Sequence, residues 1–188
     1  MNESNAPIDF HWHGPFRLSE LLRSKEKRAE FDTPGVYLWT EYRDEEEVIS
    51  YVGKASGQPS LWARQTEHYL RMIGGGYKIP AERRSTNTDW EIDFSNPEVL
   101  DVLFDLTNYQ DLVKDAFQHA AAVNIFLCKL EKTPVNDAER NLLYDLQPVD
   151  TSWGTKSEPS RPLSIVHKNA EWATEPIRKQ IREHVVFG

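Results

Sequence analysis

The residues from 34 to 68 constrain the fold more than any other part of the chain. One apolar, β-prone run contains Gly35-Val36-Tyr37, and a second contains Tyr51-Val52-Gly53. Between them lies the charged segment 42–47, which a protein core would not accommodate. This pattern predicts a strand, a solvent-exposed turn and a second strand. Because side chains alternate along a strand, a hairpin that turns about Asp44 places the two tyrosines roughly opposite each other on one face.

A helix is predicted directly after this hairpin. The residues from Leu61 to Met72 suit a helix, and Arg64 and His68 lie on one side of it because they are four residues apart. The sequence therefore predicts that two phenols, one guanidinium group and one imidazole converge on a single surface.

A second predicted helix carries an acidic residue on its buried side. It begins after Pro134 and ends before Pro148. Its apolar stripe consists of Leu142, Leu143 and Leu146. Glu139 lies three, four and seven residues before these leucines, so its carboxylate points with the buried stripe. A carboxylate there needs a cation or strong hydrogen-bond donors, because unpaired burial is costly. A structural salt bridge to a neighbouring arginine is the alternative to a functional role.

The N-terminal residues are less regular. Residues 1–16 predict an extended arm, in which His11 and His13 could bind a metal from one side of a strand or pack with Trp12 as an aromatic cluster. The residues from Leu18 to Phe31 suit a short surface helix.

The remaining elements are two helical segments and one strand. Helical patterns cover residues 99–121 in one or two pieces and residues 173–186, whereas residues 122–130 fit a central strand. Cys128 within this strand is predicted to be a small core residue.

Together these elements predict an α/β or α+β fold. We expect a small mixed β-sheet of three or more strands, flanked by helices. The predicted organisation is an N-terminal arm and helix (1–32), a main domain (33–155) with a helical insertion at about 74–120, and a C-terminal loop and helix (156–188).

Composition narrows the class of protein. The single cysteine excludes an internal disulfide framework and a zinc site built from cysteine pairs. Without a long apolar run or a signal-peptide pattern, no membrane partner is expected and a cytoplasmic location is the expectation. The formal net charge of −8 argues against a nucleic-acid partner. Several segments are nevertheless locally basic, which leaves a basic face open. They carry Lys54, Arg64, Arg71, Lys78, Arg83 and Arg84.

The motifs resemble those of the GIY-YIG nuclease family. The tripeptides 35–37 and 51–53 match the two tripeptides of the family, and Lys54 follows as in many members. Arg64 matches the arginine of its first helix, and His68 matches a histidine that some members carry one turn later. Glu139, with the leucines and the proline that follow it, resembles the downstream E-x-x-L-I…P element. The resemblance covers about residues 33–73 and 122–152, and Val-Asp-Thr-Ser stands where the family often has an asparagine after that proline.

The resemblance implies a metal-dependent endonuclease that hydrolyses phosphodiester bonds in DNA. Glu139 would bind Mg²⁺ or Mn²⁺, which prefer oxygen ligands, and Arg64 would hold the phosphate with its planar fork. Tyr51 would be the general base or its relay, with Tyr37 as its hydrogen-bond partner. A phenol titrates near pH 10, so this role requires Lys54, Arg64 and the metal to lower its pKa. His68 is the competing base, because an imidazole with an ordinary pKa needs no adjustment.

Two other readings of the sequence stay open. The chain could be a catalytically inactive GIY-YIG-like module that binds nucleic acid or a protein partner. It could also be an unrelated acidic interaction protein in which the tripeptides are coincidental, and a structure that separates Tyr37, Arg64 and Glu139 would favour that reading. The sequence predicts neither an oligomeric state nor the form of the DNA substrate.

Overall fold

The computed structural model describes residues 6–73, 106–131, 133–150 and 157–188. The described strands are β1 (Ile8–Arg17), β2 (Gly35–Arg43), β3 (Glu46–Ala55), β4 (Asn124–Lys129), β5 (Ile165–Lys168) and β6 (Val186–Phe187). The described helices are α1 (Leu18–Arg23), α2 (Lys25–Glu30), α3 (Leu61–Ile73), α4 (Leu106–Ala122), α5 (Val135–Leu146) and α6 (Glu175–Gln180).

The six described strands form one mixed sheet in the spatial order β3-β2-β4-β1-β5-β6. The pairs β2–β3, β2–β4 and β1–β4 are antiparallel, whereas β1–β5 and β5–β6 are parallel. The predicted α+β class, a mixed sheet flanked by helices, is therefore confirmed. Strands from all three predicted segments of the chain contribute to this sheet.

Each face of the sheet has its own core. One face packs Tyr37, Trp39 and Leu127 against α1, α3 and α4. The other face packs Leu38 and Phe126 against α5 and the C-terminal residues. This division follows from the alternation of side chains along β2 and β4, and it places helices on both sides of the edge strand β3.

The β2–β3 hairpin turns at Asp44 and Glu45, which both have positive φ (46° and 68°), as a two-residue turn requires. Its register differs from the prediction. Tyr51 lies opposite Trp39, and Tyr37 lies opposite Gly53. The two-residue turn and one extra residue in β3 each shift the pairing by one position, so Tyr37 and Tyr51 are diagonal neighbours and not a direct pair.

Three predicted elements have a different form in the structure. The predicted N-terminal arm is strand β1, which lies inside the sheet between β4 and β5. The single helix predicted for residues 18–31 is two helices, because the Ser24 hydroxyl accepts a hydrogen bond from the Lys27 amide and begins a new helix. The C-terminal helix covers only Glu175–Gln180, and a short strand follows it.

Residues 74–105, most of the predicted insertion, lie outside the described residues, and α4 covers the rest. In the described part of the chain, no helix is long and apolar enough to cross a membrane. His13 packs edge to face against Phe31 at 5.4 Å between ring centroids, whereas His11 is exposed.

Candidate functional site

Five of the six predicted catalytic residues line one open pocket of about 370 Å³ around the edge strand β3. They are Tyr37, Tyr51, Lys54, Arg64 and Glu139, and Ala55, Ser56 and Pro59 complete the lining. Because Tyr51 and Lys54 lie on opposite faces of β3, the pocket takes side chains from α3 on one side of the sheet and from α5 on the other. A structure that separates Tyr37, Arg64 and Glu139 would have favoured coincidental motifs. Instead, all three side chains line the same pocket.

A β-bulge determines which face Tyr51 occupies. Trp39 pairs with Tyr51 but Thr40 pairs with Ile49, so Ser50 is an extra residue in β3. If the pairing continued regularly from Thr40 and Ile49, Tyr51 would lie opposite Leu38 and would point to the face opposite Tyr37. The bulge therefore puts both phenols on the same side of the sheet, with their ring centroids 6.0 Å apart.

Gly53 makes room for the ring of Tyr37. A Cβ atom at this position would lie 2.5 Å from both Cζ and the hydroxyl oxygen of Tyr37, and 2.8 Å from a ring carbon of Tyr51. The glycine of the second tripeptide is thus required because the tyrosine of the first lies across it. This contact gives the two motif segments a direct structural link.

His68 lies behind the pocket and contacts Tyr37. Its Nε2 atom is 2.5 Å from the Tyr37 hydroxyl, and both side chains are only 1% exposed. Burial, followed by the positive charges of Arg64 and Arg71, lowers the pKa of His68 to about 3. The expectation of an ordinary imidazole pKa is therefore wrong. A neutral imidazole with its proton on Nδ1 accepts the phenolic hydrogen of Tyr37 at Nε2.

Two further side chains hold this pair, and neither was predicted from the sequence. Trp39 packs its ring edge to face against His68 at 4.9 Å between centroids. Its indole nitrogen donates a hydrogen bond of 3.0 Å to Gln65 Oε1. Their positions in the sequence could have indicated both. Trp39 follows Tyr37 by two residues in a strand and so points to the same face, and Gln65 lies on the buried stripe of α3.

The environment of Tyr51 favours the neutral phenol. Burial raises its pKa, and the negative charge of Glu139 acts in the same direction. Arg64 and a hydrogen bond with Tyr37 act to lower the pKa, but their combined effect is smaller. Arg64, one of the cations expected to lower this pKa, does not outweigh the effect of burial in the protein without a metal.

Arg64 is held in place by two neighbours and stays charged. Its Nη1 atom lies 2.6 Å from Glu67 Oε2, one turn along α3. Burial alone would lower its pKa, but the hydrogen bonds to Glu67 and Tyr37 raise the pKa above its ordinary value. With 29% of its side chain exposed, the guanidinium group is fixed at the pocket wall and accessible to an anion.

Glu139 is paired with Lys54. The Lys54 Nζ atom lies 2.5 Å from Glu139 Oε2, and the two side chains are 34% and 19% exposed. This carboxylate was predicted to need a cation or strong hydrogen-bond donors, and its salt bridge is to a lysine of β3 and not to an arginine.

One side chain of the pocket could hold a hydrated, hard cation. Glu139 contributes the only carboxylate among the described lining residues. The described ranges contain no group of three or more His, Cys, Asp or Glu side chains that could hold a metal. Mg²⁺ usually keeps several waters and binds through one or two carboxylates together with substrate phosphates. Glu139 could supply that single ligand.

Val149 and Asp150, the described residues directly after Pro148, do not line the pocket. The amides of Val149 and Asp150 donate to the carbonyls of Ile49 and Ser50, beside the bulge. The Asp150 carboxylate forms an ion pair with Arg43. Positions 151 and 152, where the family's asparagine was sought, lie outside the described residues.

Comparison of the chain with protein-family models, curated proteins and solved structures gives no match. The resemblance to the GIY-YIG family therefore rests on the motifs, and membership stays a prediction.

Proposed function

We propose that the protein is a metal-dependent endonuclease that hydrolyses phosphodiester bonds in DNA. One observation carries the proposal: among the described residues, two phenols, a fixed guanidinium group, an ammonium group and a single carboxylate line the same pocket. A phosphodiester is an anion that needs charge neutralisation and a positioned proton acceptor for its hydrolysis. This set of side chains offers both.

The chain's own residues divide this work. The Arg64 guanidinium group binds two oxygens of the phosphate, since Glu67 already fixes its orientation. Tyr51, in its phenolate form and with its own proton lost to solvent, accepts a proton from the attacking water, and Tyr37 shares a hydrogen bond with it. Tyr37 is oriented by its contact with His68 Nε2.

The metal supplies the positive charge that the protein alone does not provide. Bound at Glu139, Mg²⁺ or Mn²⁺ would polarise the phosphate and neutralise developing charge. Because burial raises the pKa of Tyr51 in the protein alone, this added charge is also what the proposed role of Tyr51 requires.

A cleavage assay tests the proposal. Supercoiled plasmid, branched and single-stranded DNA are incubated with the protein in Mg²⁺ or Mn²⁺, and beside it with Glu139→Ala. We expect metal-dependent cleavage that the substitution abolishes. Glu158→Ala removes an exposed carboxylate outside the pocket and serves as the charge-matched control. Failure of folded wild-type protein to cleave any of these substrates in either metal contradicts the proposal.

The same assay distinguishes between Tyr51 and His68 as the proton acceptor. We expect Tyr51→Phe to lose cleavage, because the phenol oxygen that accepts the proton is gone. His68→Ala should retain part of the activity, since His68 orients Tyr37 and does not line the pocket. Wild-type rates for Tyr51→Phe together with an inactive His68→Ala would exchange the two roles.

A catalytically inactive module that binds nucleic acid or a protein partner is the second candidate. The observation in its favour is the neutral Tyr51 beside a carboxylate already occupied by Lys54. Such a module would bind a labelled oligonucleotide or a protein partner without cleaving DNA. Its nucleic-acid affinity would fall with salt and would be unchanged in Glu139→Gln.

A further inference from the structure

The salt bridge in the pocket joins a fixed carboxylate to a side chain that can move. Glu139 lies on α5 between the fully buried Ala138 and Leu142, which hold that helix against the sheet. Lys54 extends from the edge strand on a flexible four-carbon stem and is one-third exposed. Any rearrangement of the pair is therefore expected to move the lysine.

The ammonium group occupies the place that a divalent cation would need. Lys54 Nζ lies 2.5 Å from Glu139 Oε2, so the ammonium group directly contacts the oxygen that would bind the metal. Two cations on one carboxylate repel each other strongly at such distances. No other carboxylate among the described residues lines the pocket, so Glu139 is the shared ligand.

We propose that Lys54 and the divalent cation compete for Glu139, and that Lys54 closes the metal site until the metal displaces it. This inference rests on the proposed metal-dependent function. The Glu67 carboxylate is already bound to Arg64, and among the described residues no carboxylate other than Glu139 lines the pocket. The displaced ammonium group would therefore face the space where the phosphate would bind. Metal binding thereby converts Lys54 from a partner of Glu139 into a phosphate ligand.

Metal affinity measured without nucleic acid tests this competition. Mn²⁺ is titrated by electron paramagnetic resonance into wild type, Lys54→Met, Lys54→Arg and Glu139→Gln. We expect Lys54→Met to bind Mn²⁺ on the order of tenfold more tightly, a typical size for coupling between two ligands. Lys54→Arg keeps the competing charge and should bind like wild type, whereas Glu139→Gln should lose the site.

Lys129→Met is the matched control. Lys129 also lies within salt-bridge distance of a glutamate, with 4.0 Å between its Nζ and Glu30 Oε1, but it does not line the pocket. Its removal changes the net charge by the same amount, so an equal gain in Mn²⁺ affinity would reveal a non-specific charge effect and overturn the proposal.

The outcomes separate this inference from the proposed function. Equal Mn²⁺ affinities for wild type and Lys54→Met, both lost in Glu139→Gln, would refute the competition and leave the metal site intact. Weaker binding in Lys54→Met would also refute it. Absence of Mn²⁺ binding in every variant would refute the competition, whereas the metal-dependent function is tested by the cleavage assay, in which the phosphates of the substrate are present.

A second measurement follows the lysine itself. In wild type, the rate at which an acylating reagent modifies Lys54 should rise when Mn²⁺ saturates the site, because the amine leaves its carboxylate partner. The rate at Lys129, read by mass spectrometry in the same sample, should not change. A constant rate at Lys54 with Mn²⁺ bound would contradict displacement.

Discussion

Two buried, neutral histidines should make the folded protein sensitive to mild acid. His68 contacts Tyr37, and His167 accepts a 3.0 Å hydrogen bond from the indole of Trp12. Burial is the main cause that lowers the pKa of His68 to about 3, and burial lowers the pKa of His167 to about 4. Because the unfolded chain binds protons near pH 6.5 and the folded chain does not, stability falls as the pH falls below that value.

The size of the effect can be stated at about pH 5, because both folded pKa values lie below it. An unfolded imidazole at that pH is about 1.5 pH units below its pKa, which corresponds to about 2 kcal/mol for each histidine. The two together remove about 4 kcal/mol, a large part of the total of about 5–15 kcal/mol for a typical domain.

Urea unfolding of His68→Gln and wild type, followed by tryptophan fluorescence at about pH 8 and about pH 5, isolates the contribution of His68. We expect the loss of stability between the two pH values to be about 2 kcal/mol smaller in His68→Gln. Groups that titrate in both proteins cancel in this difference. The exposed His11→Gln should behave like wild type. An equal loss in His68→Gln and wild type would refute the reasoning.

Two further predictions concern the packing that supports the pocket. Gly53→Ala places a methyl group 2.5 Å from ring and hydroxyl atoms of Tyr37. We therefore expect the free energy of unfolding, measured in urea, to fall by about 1–3 kcal/mol and the near-ultraviolet circular dichroism of the tyrosines to change. If neither changed, the register of the hairpin would be contradicted. Arg43→Met leaves the fully buried Glu41 carboxylate without its arginine, which should cost about 2–3 kcal/mol of stability. Glu41→Gln added to that variant should recover part of the loss, and a further loss would show that the ion pair is not the cause.

The elements that surround the site could be predicted because each has a local signal. The charged segment 42–47 between two β-prone runs predicted the hairpin, and the structure contains it. The apolar spacing and flanking prolines predicted α5. These signals are properties of neighbouring residues, so a sequence shows them directly.

The position of β1 and the shortness of the C-terminal helix had no such signal. Strand β1 pairs with β4 and β5, more than a hundred residues away in the chain. What makes residues 8–17 a strand is the pair of distant partners, which neighbouring residues do not report. The two-residue strand β6 likewise forms by pairing with another strand, β5, which lies earlier in the C-terminal segment.

Five of the six predicted residues line one pocket, but their arrangement could not be predicted. The motif spacing gave the correct outcome that Tyr37 and Tyr51 share a face, although the assumed register was wrong. The two-residue turn shifts the strand pairing by one residue, and the extra Ser50 in β3 shifts it by one more. After both shifts Tyr51 still points to the same face of the sheet as Tyr37. The shift also replaces a direct pair of tyrosines with Trp39 opposite Tyr51 and Gly53 opposite Tyr37. That replacement gives Tyr37 the space to reach His68, and so the contact that distinguishes the two phenols follows from the register and not from the motif.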